Sequence, residues 1–273
     1  MRNRIKKLLA LTREAKYQSI SIRRKFMLYW GTTSLVIFAL LLVILSFTDV
    51  LSDPARKLQQ ALEVQFSNTY SDLTSHFDTL TARSIRLSKQ ASEEIEEFLT
   101  YGVSISALND QSECLLELQQ ALYPLLDTAI QAGPYSGTFV VIDATVNTNT
   151  ENAAHSRCGI YLRFASLSTA DPVNQRVIYF RGAPSIARVA GLELHNRWNL
   201  EFDVDGLPGY QEAMEQSVTR LSDAYFWTER INLRDTWEDA MLLCVPVLNS
   251  DGSVCGLCGV ELSDLYFRLT YPA

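Results

Sequence analysis

The stretch DAMLLCVPVLNSDGSVCGLCGVEL, residues 239–262, decides how this chain is read. Two apolar runs, 239–248 and 252–262, flank Asn249-Ser250-Asp251-Gly252, and an Asp-Gly pair in that setting signals a β-hairpin. If Asp251-Gly252 form a two-residue loop, Cys244 pairs opposite Gly259 and lies diagonal to Cys258, so a Cys244–Cys258 bridge is conceivable. The second run also holds a C-x-x-C, Cys255 and Cys258. Thiol redox chemistry at that motif needs a helix start that lowers the nucleophile's pKa. Here the motif continues a strand, where positions three apart point to opposite faces and lie about 10 Å apart, beyond the ~7 Å a disulfide spans. Both cysteines are therefore expected to act as small apolar residues on opposite faces.

Upstream of the hairpin the pattern stays strand-like. GTFVVIDATV (137–146), GIYLRFA (159–165), RVIYF (176–180) and AYFWTERI (224–231) are strand candidates. GAPSIARVAGLEL (182–194) and LPGYQEAMEQSVTRL (207–221) are short helices between them, the first with Pro184 near its start. Before residue 137 the period is helical. Ser112–Ala132 is a helix stopped by Gly133-Pro134, with Pro124 inside it. A longer helix starts at Asp53-Pro54, a cap followed by the residue best tolerated in a first turn, and ends near Gly102. Along it Phe66, Tyr70, Leu73, Phe77, Leu80, Leu87, Ile95 and Phe98 recur at helical steps, with Ser84 and Ala91 completing the stripe. Helices followed by antiparallel strands with helical inserts make an α+β domain.

Charge is divided unevenly. Residues 1–25 carry nine basic side chains against one acid, Glu14, although the whole chain has a formal net charge of −7. Between this arm and the acidic remainder lies FMLYWGTTSLVIFALLLVILSF, Phe26–Phe47, a run without a charge. At ~1.5 Å per residue it is about 33 Å long, enough to cross a hydrocarbon core of about 30 Å. Tyr29 and Trp30 sit at one end, the depth amphipathic rings prefer, and the basic arm places the N-terminus in the cytoplasm. A cleaved signal peptide would have a shorter apolar region and a small-residue cleavage site, which SFTDVLSDP does not offer. The expected organisation is a basic cytoplasmic arm (1–25), a transmembrane helix (26–47), a long extracytoplasmic stalk helix (48–104) and an outer domain (105–273) packed on the upper stalk. A stalk of that length invites pairing with a second copy, so a homodimer is expected. The arm contains no nucleic-acid-binding module, and its charge is explained as a topology signal, with lipid contact as an accessory role.

The order of elements resembles the extracytoplasmic Cache (PAS-like) sensor domains of bacterial transmembrane receptors and regulators. The segment YFWTERINLRDTWEDAMLLCVPVLNSDGSVCGLCGVELSDLYF, residues 225–267, is similar to their closing pattern: Val245-Pro246-Val247, the Asp251-Gly252 turn, then Gly256, Gly259 and Glu261. The resemblance implies a PAS/Cache-like antiparallel sheet with helical inserts, preceded by the transmembrane and stalk helices. It also implies a small ligand held between sheet and covering loops; in the amino-acid-binding branch an acid at the end of the last strand holds the ligand's amine, and Glu261 stands at that place as Glu rather than Asp. Arg197-Trp198 does not reproduce the Arg-x-Trp-Tyr element of the amino-acid-binding branch. Related sensors continue through a second span to a cytoplasmic output. None follows Phe47, so a truncated receptor or regulator, or action through a partner, is expected.

Three tryptophans, Trp198, Trp227 and Trp237, cluster in sequence with Tyr210, Tyr225, Arg197, Arg230, Asp203 and Asp235. Aromatic walls with a few charges suit a small polar ligand bearing an amine or carboxylate; the same residues equally suit a filled core and a charged surface. The candidate ligand-binding set is Arg197, Trp198, Tyr210, Tyr225, Trp227, Arg230, Asp235 and Glu261. No metal or cofactor is expected: His76, His155 and His195 are scattered, and no phosphate-binding glycine loop or nucleophile elbow occurs. The leading reading is a membrane-anchored sensor and not an enzyme. The alternatives are a tethered structural or adhesion protein without a small ligand, and a thiol redox protein using Cys255 and Cys258.

Overall fold

The computed structural model describes residues 22–47, 53–99, 104–165, 175–233 and 238–271. Contacts divide the chain into two units, Met1–Asp72 and Leu73–Ala273. In the first unit, helix α1 (Ile22–Phe47) contains a stretch, Ile22–Leu45, long and apolar enough to cross a membrane. Helix α2 (Asp53–Phe98) begins in this unit, where Leu58, Leu62, Phe66 and Tyr70 are exposed, and runs on into the second.

The second unit is layered. Its centre is a sheet of β1 (Gly137–Ile142), β3 (Gly159–Ala165), β4 (Arg176–Arg181), β5 (Glu193–Asn199), β7 (Phe226–Trp227), β8 (Ile231–Asn232), β9 (Asp239–Leu248) and β10 (Val254–Ser263). The order is β5-β4-β3-β1-β10-β9-β7, with β8 also on β9, and a separate two-stranded ribbon joins β2 (Ser156–Arg157) to β6 (Phe202–Asp203). This is the α+β sheet with helical inserts expected from the sequence, with one correction: β4 and β5 are parallel. β5 also corrects the helix drawn over 182–194. Helix α4 (Pro184–Ala190) stops at Gly191, whose left-handed φ of 70° ends it, and the chain turns into a strand two residues later.

One face of the sheet is covered by the upper part of α2 and by α3 (Ser112–Ala132). Leu80, Leu87, Ala91 and Ile95 of α2 and Leu115, Leu118, Leu122, Leu126 and Ile130 of α3 are buried with Val140, Ile160, Val245 and Val260. Thus the upper part of the apolar stripe read from the sequence, Leu80 to Ile95, is the seat of the helix on its sheet, whereas Phe66 and Tyr70 lower on it are exposed. The opposite face is covered by β6 and α5 (Tyr210–Glu215); there Phe139, Tyr161, Phe180, Phe202, Leu207, Tyr210 and Leu242 are buried together. Helix α6 (Leu221–Ala224) leads into β7, and α7 (Asp264–Thr270) follows β10, capped by the Ser263 hydroxyl.

The β9–β10 hairpin has the expected register, Gly259 opposite Cys244, by an unexpected route. Leu248 pairs with Val254 around a five-residue connection in which Gly252 has φ 80°. A bulge at Cys255 then adds the residue that brings Gly256 opposite Val247. The bulge overturns the opposite-face expectation, because one extra residue shifts the alternation. Cys255 and Cys258 both lie on the helix-covered side, whereas Cys244 faces the other side. A Cys244–Cys258 bridge is therefore ruled out, and all five cysteines are free thiols. The intervening glycines have a steric cause. A Cβ at Gly256 would stand 2.3 Å from the Val141 carbonyl oxygen, and one at Gly259 1.9 Å from that of Leu243.

Candidate functional site

The sheet face away from the helices carries the polar chemistry. In its middle, Glu261 of β10 is fully buried beside Arg163 of β3, whose side chain is 3% exposed. Arg163 donates from Nε to Glu261 Oε2 at 2.7 Å and from Nη2 to Oε1 at 3.0 Å. The Tyr161 hydroxyl donates to Oε2 at 2.6 Å and the Ser136 hydroxyl to Oε1 at 2.8 Å. Both oxygens of Glu261 are thus engaged inside the protein. Arg163 also bonds Glu238 at the rim. The fork geometry is what a guanidinium needs to tolerate burial. Burial and the neighbouring Glu261 hold the Tyr161 phenol well above its ordinary range, so it remains a donor.

Toward β4 the face opens into two adjoining spaces. The inner one, about 70 Å³, lies among Phe139, Tyr161, Phe180, Phe202, Leu207 and Leu242. Its rings touch one another: Tyr161 and Phe202 stack with centroids 6.0 Å apart, and Tyr161 meets Phe180 edge-on at 5.2 Å. The outer one is a polar cleft of about 520 Å³ bounded by Asn152, His155, Ser156, Asn199, Glu201 and Asp205. Arg181, Phe202 and Asp203 form the wall common to both.

The cleft is held in shape by its backbone. Arg181 ends β4, places its guanidinium carbon over the Phe180 ring 3.9 Å from its centroid, and donates from Nη1 to the carbonyls of Phe180 and Arg197. Asp203 follows Phe202 on the β2–β6 ribbon and accepts from the Asp205 amide at 3.1 Å. Glu201 is fixed by the Val146 amide at 2.7 Å and the hydroxyls of Thr145 and Ser156. His155 Nδ1 meets Asp205 Oδ1 at 2.8 Å. Below the cleft Asp143 takes Arg157 Nε at 2.6 Å and the Tyr210 hydroxyl at 3.0 Å, joining α5 to the end of β1. On the far side of Phe180 stands His195, its pKa lowered first by burial and then by Arg163 and Arg181.

The residues singled out from sequence are not brought into one group. Trp198 packs on the helix side of the sheet, and its Nε1 donates to the Gly182 carbonyl at 3.0 Å. Trp227 is on that side too, edge-on to Phe77 at 5.2 Å. Tyr210 is buried under the opposite face, while Tyr225 is exposed. The Arg197 side chain is exposed and only its carbonyl reaches Arg181. Arg230 is exposed and paired with Asp239 and Asp264. Asp235 and Trp237 fall outside the described residues. Residues missed from the sequence are Arg163 and Arg181 and the phenylalanines around them. A signal existed for one pair: a single charge inside an otherwise apolar strand, Arg163 in GIYLRFA and Glu261 in the last strand, demands a partner.

The cysteines carry no sign of activation. Burial pushes Cys255 and Cys258 up to about 12, the reverse of what a thiolate nucleophile needs. Among the described residues no three His, Cys, Asp or Glu side chains are grouped to hold a metal.

No protein-family model matches the chain, and no curated protein sequence matches it. Among solved structures it is similar to the periplasmic sensory domain of the Campylobacter jejuni chemoreceptor Tlp1, at TM-score 0.42 and 13% identity over 74% of this chain and 61% of that one. It is also similar to the sensory domain of the C. jejuni chemoreceptor Tlp3 (CcmL) with isoleucine bound, at TM-score 0.31 and 12% identity over 72% and 66%. The same Tlp3 domain in a second structure gives TM-score 0.30 and 13% identity over 70% and 64%. The chain spans 61–66% of the length of these domains. At such identities and scores no residue role is carried over from them.

Proposed function

We propose that this chain is the input part of a membrane-anchored sensor, with α1 crossing the membrane, the basic arm in the cytoplasm and the sheet domain outside. Its ligand is a small polar molecule held in the cleft of about 520 Å³, and that cleft is the observation that carries the reading. Its size falls in the range of small-molecule sites, and its wall pairs a positioned guanidinium, Arg181, with a carboxylate, Asp203. Such a wall suits a ligand carrying both a carboxylate and an amine, with a small apolar end toward the aromatic space. Glu261, expected from the resemblance to hold the amine, is engaged by Arg163, Tyr161 and Ser136; in this reading the amine meets the cleft wall at Asp203. Binding favours one setting of the sheet cover, and α2, seated on the sheet's other face, transmits it as a population shift. Pairing of two copies along Leu58, Leu62, Phe66 and Tyr70 would complete the stalk. The chain would then be part of a longer receptor or work through a partner that supplies the output.

The test is a thermal-shift screen of the full chain in detergent against amino acids, amines and carboxylates. A hit that raises the melting temperature, and is lost in Arg181→Gln and in Asp203→Asn, supports the sensor. A complete absence of hits favours a tethered structural or adhesion protein, a reading to which the closely packed rings of the inner space lend weight.

A further inference from the structure

One face of α1 carries three aromatic side chains followed by two small polar ones. Phe26, Tyr29, Trp30, Thr33, Ser34 and Ile37 line a groove of about 300 Å³ along successive turns. The groove is more apolar than its sequence. Thr33 Oγ1 donates back to the Tyr29 carbonyl at 2.7 Å, so its polar atom is used within the helix. Phe26 and Trp30 are 70% and 73% exposed and form ridges. Between Phe26 and Ile37 the groove runs about 16 Å at ~1.5 Å per residue, the depth of one leaflet of a ~30 Å core. Immediately before it come Arg23, Arg24 and Lys25, all exposed. Arg23 stands three positions before Phe26, on the grooved face; Lys25, four before Tyr29, flanks that face at its Tyr29 edge; Arg24 lies farther off it.

We propose that this groove holds one anionic phospholipid, its phosphate on Arg23 and Lys25 and an acyl chain laid between Phe26 and Ile37. Charge complementarity selects the occupant. The cations stand at headgroup level, and the surface below them has the length and apolar character of a lipid chain. Two interfacial cations favour an anionic over a zwitterionic headgroup. The proposal rests on α1 crossing the membrane.

The experiment uses the full chain in phosphatidylcholine vesicles containing a fixed fraction of brominated lipid. Bromine on an acyl chain quenches a tryptophan within contact distance. Trp30 is the tryptophan in the span, and a Trp30→Phe control assigns the signal. The expected result is an apparent association of brominated phosphatidylglycerol with Trp30 at least about fivefold stronger than that of brominated phosphatidylcholine, the factor for one interfacial cation. Arg23→Gln/Lys25→Gln should bring the ratio to about one, and Arg24→Gln should leave it nearly unchanged. Equal quenching by the two lipids in the unaltered protein means ordinary boundary lipid and overturns the proposal. Quenching that falls as the protein-to-lipid ratio rises means a second copy's helix fills the groove, and overturns it too. Protein that neither floats with the vesicles nor is quenched by either lipid removes the membrane reading itself.

Discussion

Substituting Glu261 tests the interior of the domain most directly. Glu261→Ala leaves the Arg163 guanidinium, 3% exposed, with Glu238 at the rim as its remaining described carboxylate partner. Removing one partner of a buried pair costs about 3–5 kcal/mol, because the other charge stays desolvated. At about 2–4 °C per kcal/mol for a unit of this size, the melting temperature should fall by roughly 6–20 °C. Arg163→Met should lose a similar amount, stranding Glu261 with the hydroxyls of Tyr161 and Ser136. The double variant Arg163→Met/Glu261→Leu removes both charges and should lose less than either single change, since apolar replacement of a buried pair is often neutral. The assay is thermal and urea denaturation of the full chain in detergent, followed by circular dichroism and run as a double-mutant cycle. Losses in the double variant equal to the sum of the singles would refute the reasoning, because the two groups would then not be coupled.

Gly259→Ala should cost more than Gly252→Ala by urea denaturation. Its Cβ meets the Leu243 carbonyl at 1.9 Å, whereas at Gly252 the nearest atom, the Val218 carbonyl oxygen, is an ordinary contact at 3.9 Å and the penalty is the φ of 80°, about 1–2 kcal/mol. Thiol titration of the folded chain at pH 8 should show Cys114, half-buried, reacting first, with Cys158, Cys244, Cys255 and Cys258 reacting only on unfolding; rapid mutual oxidation of Cys255 and Cys258 would restore the redox reading. Burial lowers the pKa of His76, and of His195 together with its arginine neighbours. The folded protein then binds fewer protons than the unfolded chain just below pH 6.5, so this part of the stability is complete above about 6.5 and is lost as pH falls through the folded values. Melting temperature should decline from pH 7 to 5, and less steeply in His76→Phe.

The elements set by local pattern were legible without a structure. Ser112–Ala132, Gly159–Ala165 and Asp239–Leu248 have the bounds their periods and flanking glycines, prolines and caps indicate, and the stripe from Leu80 to Ile95 is the buried face of α2. A repeat of 3.6 or 2 residues is written in neighbouring positions and survives whatever the chain packs against. Sides of the sheet were not legible. A single bulged residue at Cys255 reverses the alternation that placed it, and β5 carries Trp198 to the helix face while Phe180 and Phe202 turn to the other. The candidate site needs still more distant partners: Arg163 meets Glu261 across 98 positions, and Arg181 shares a wall with Asp203 because the β2–β6 ribbon lays Phe202 against Tyr161 of the sheet. The sequence by itself therefore determined the long helices, the hairpin and the apolar span. Only the tertiary structure decided which charges face which, because strand pairing joins residues with no local record of one another.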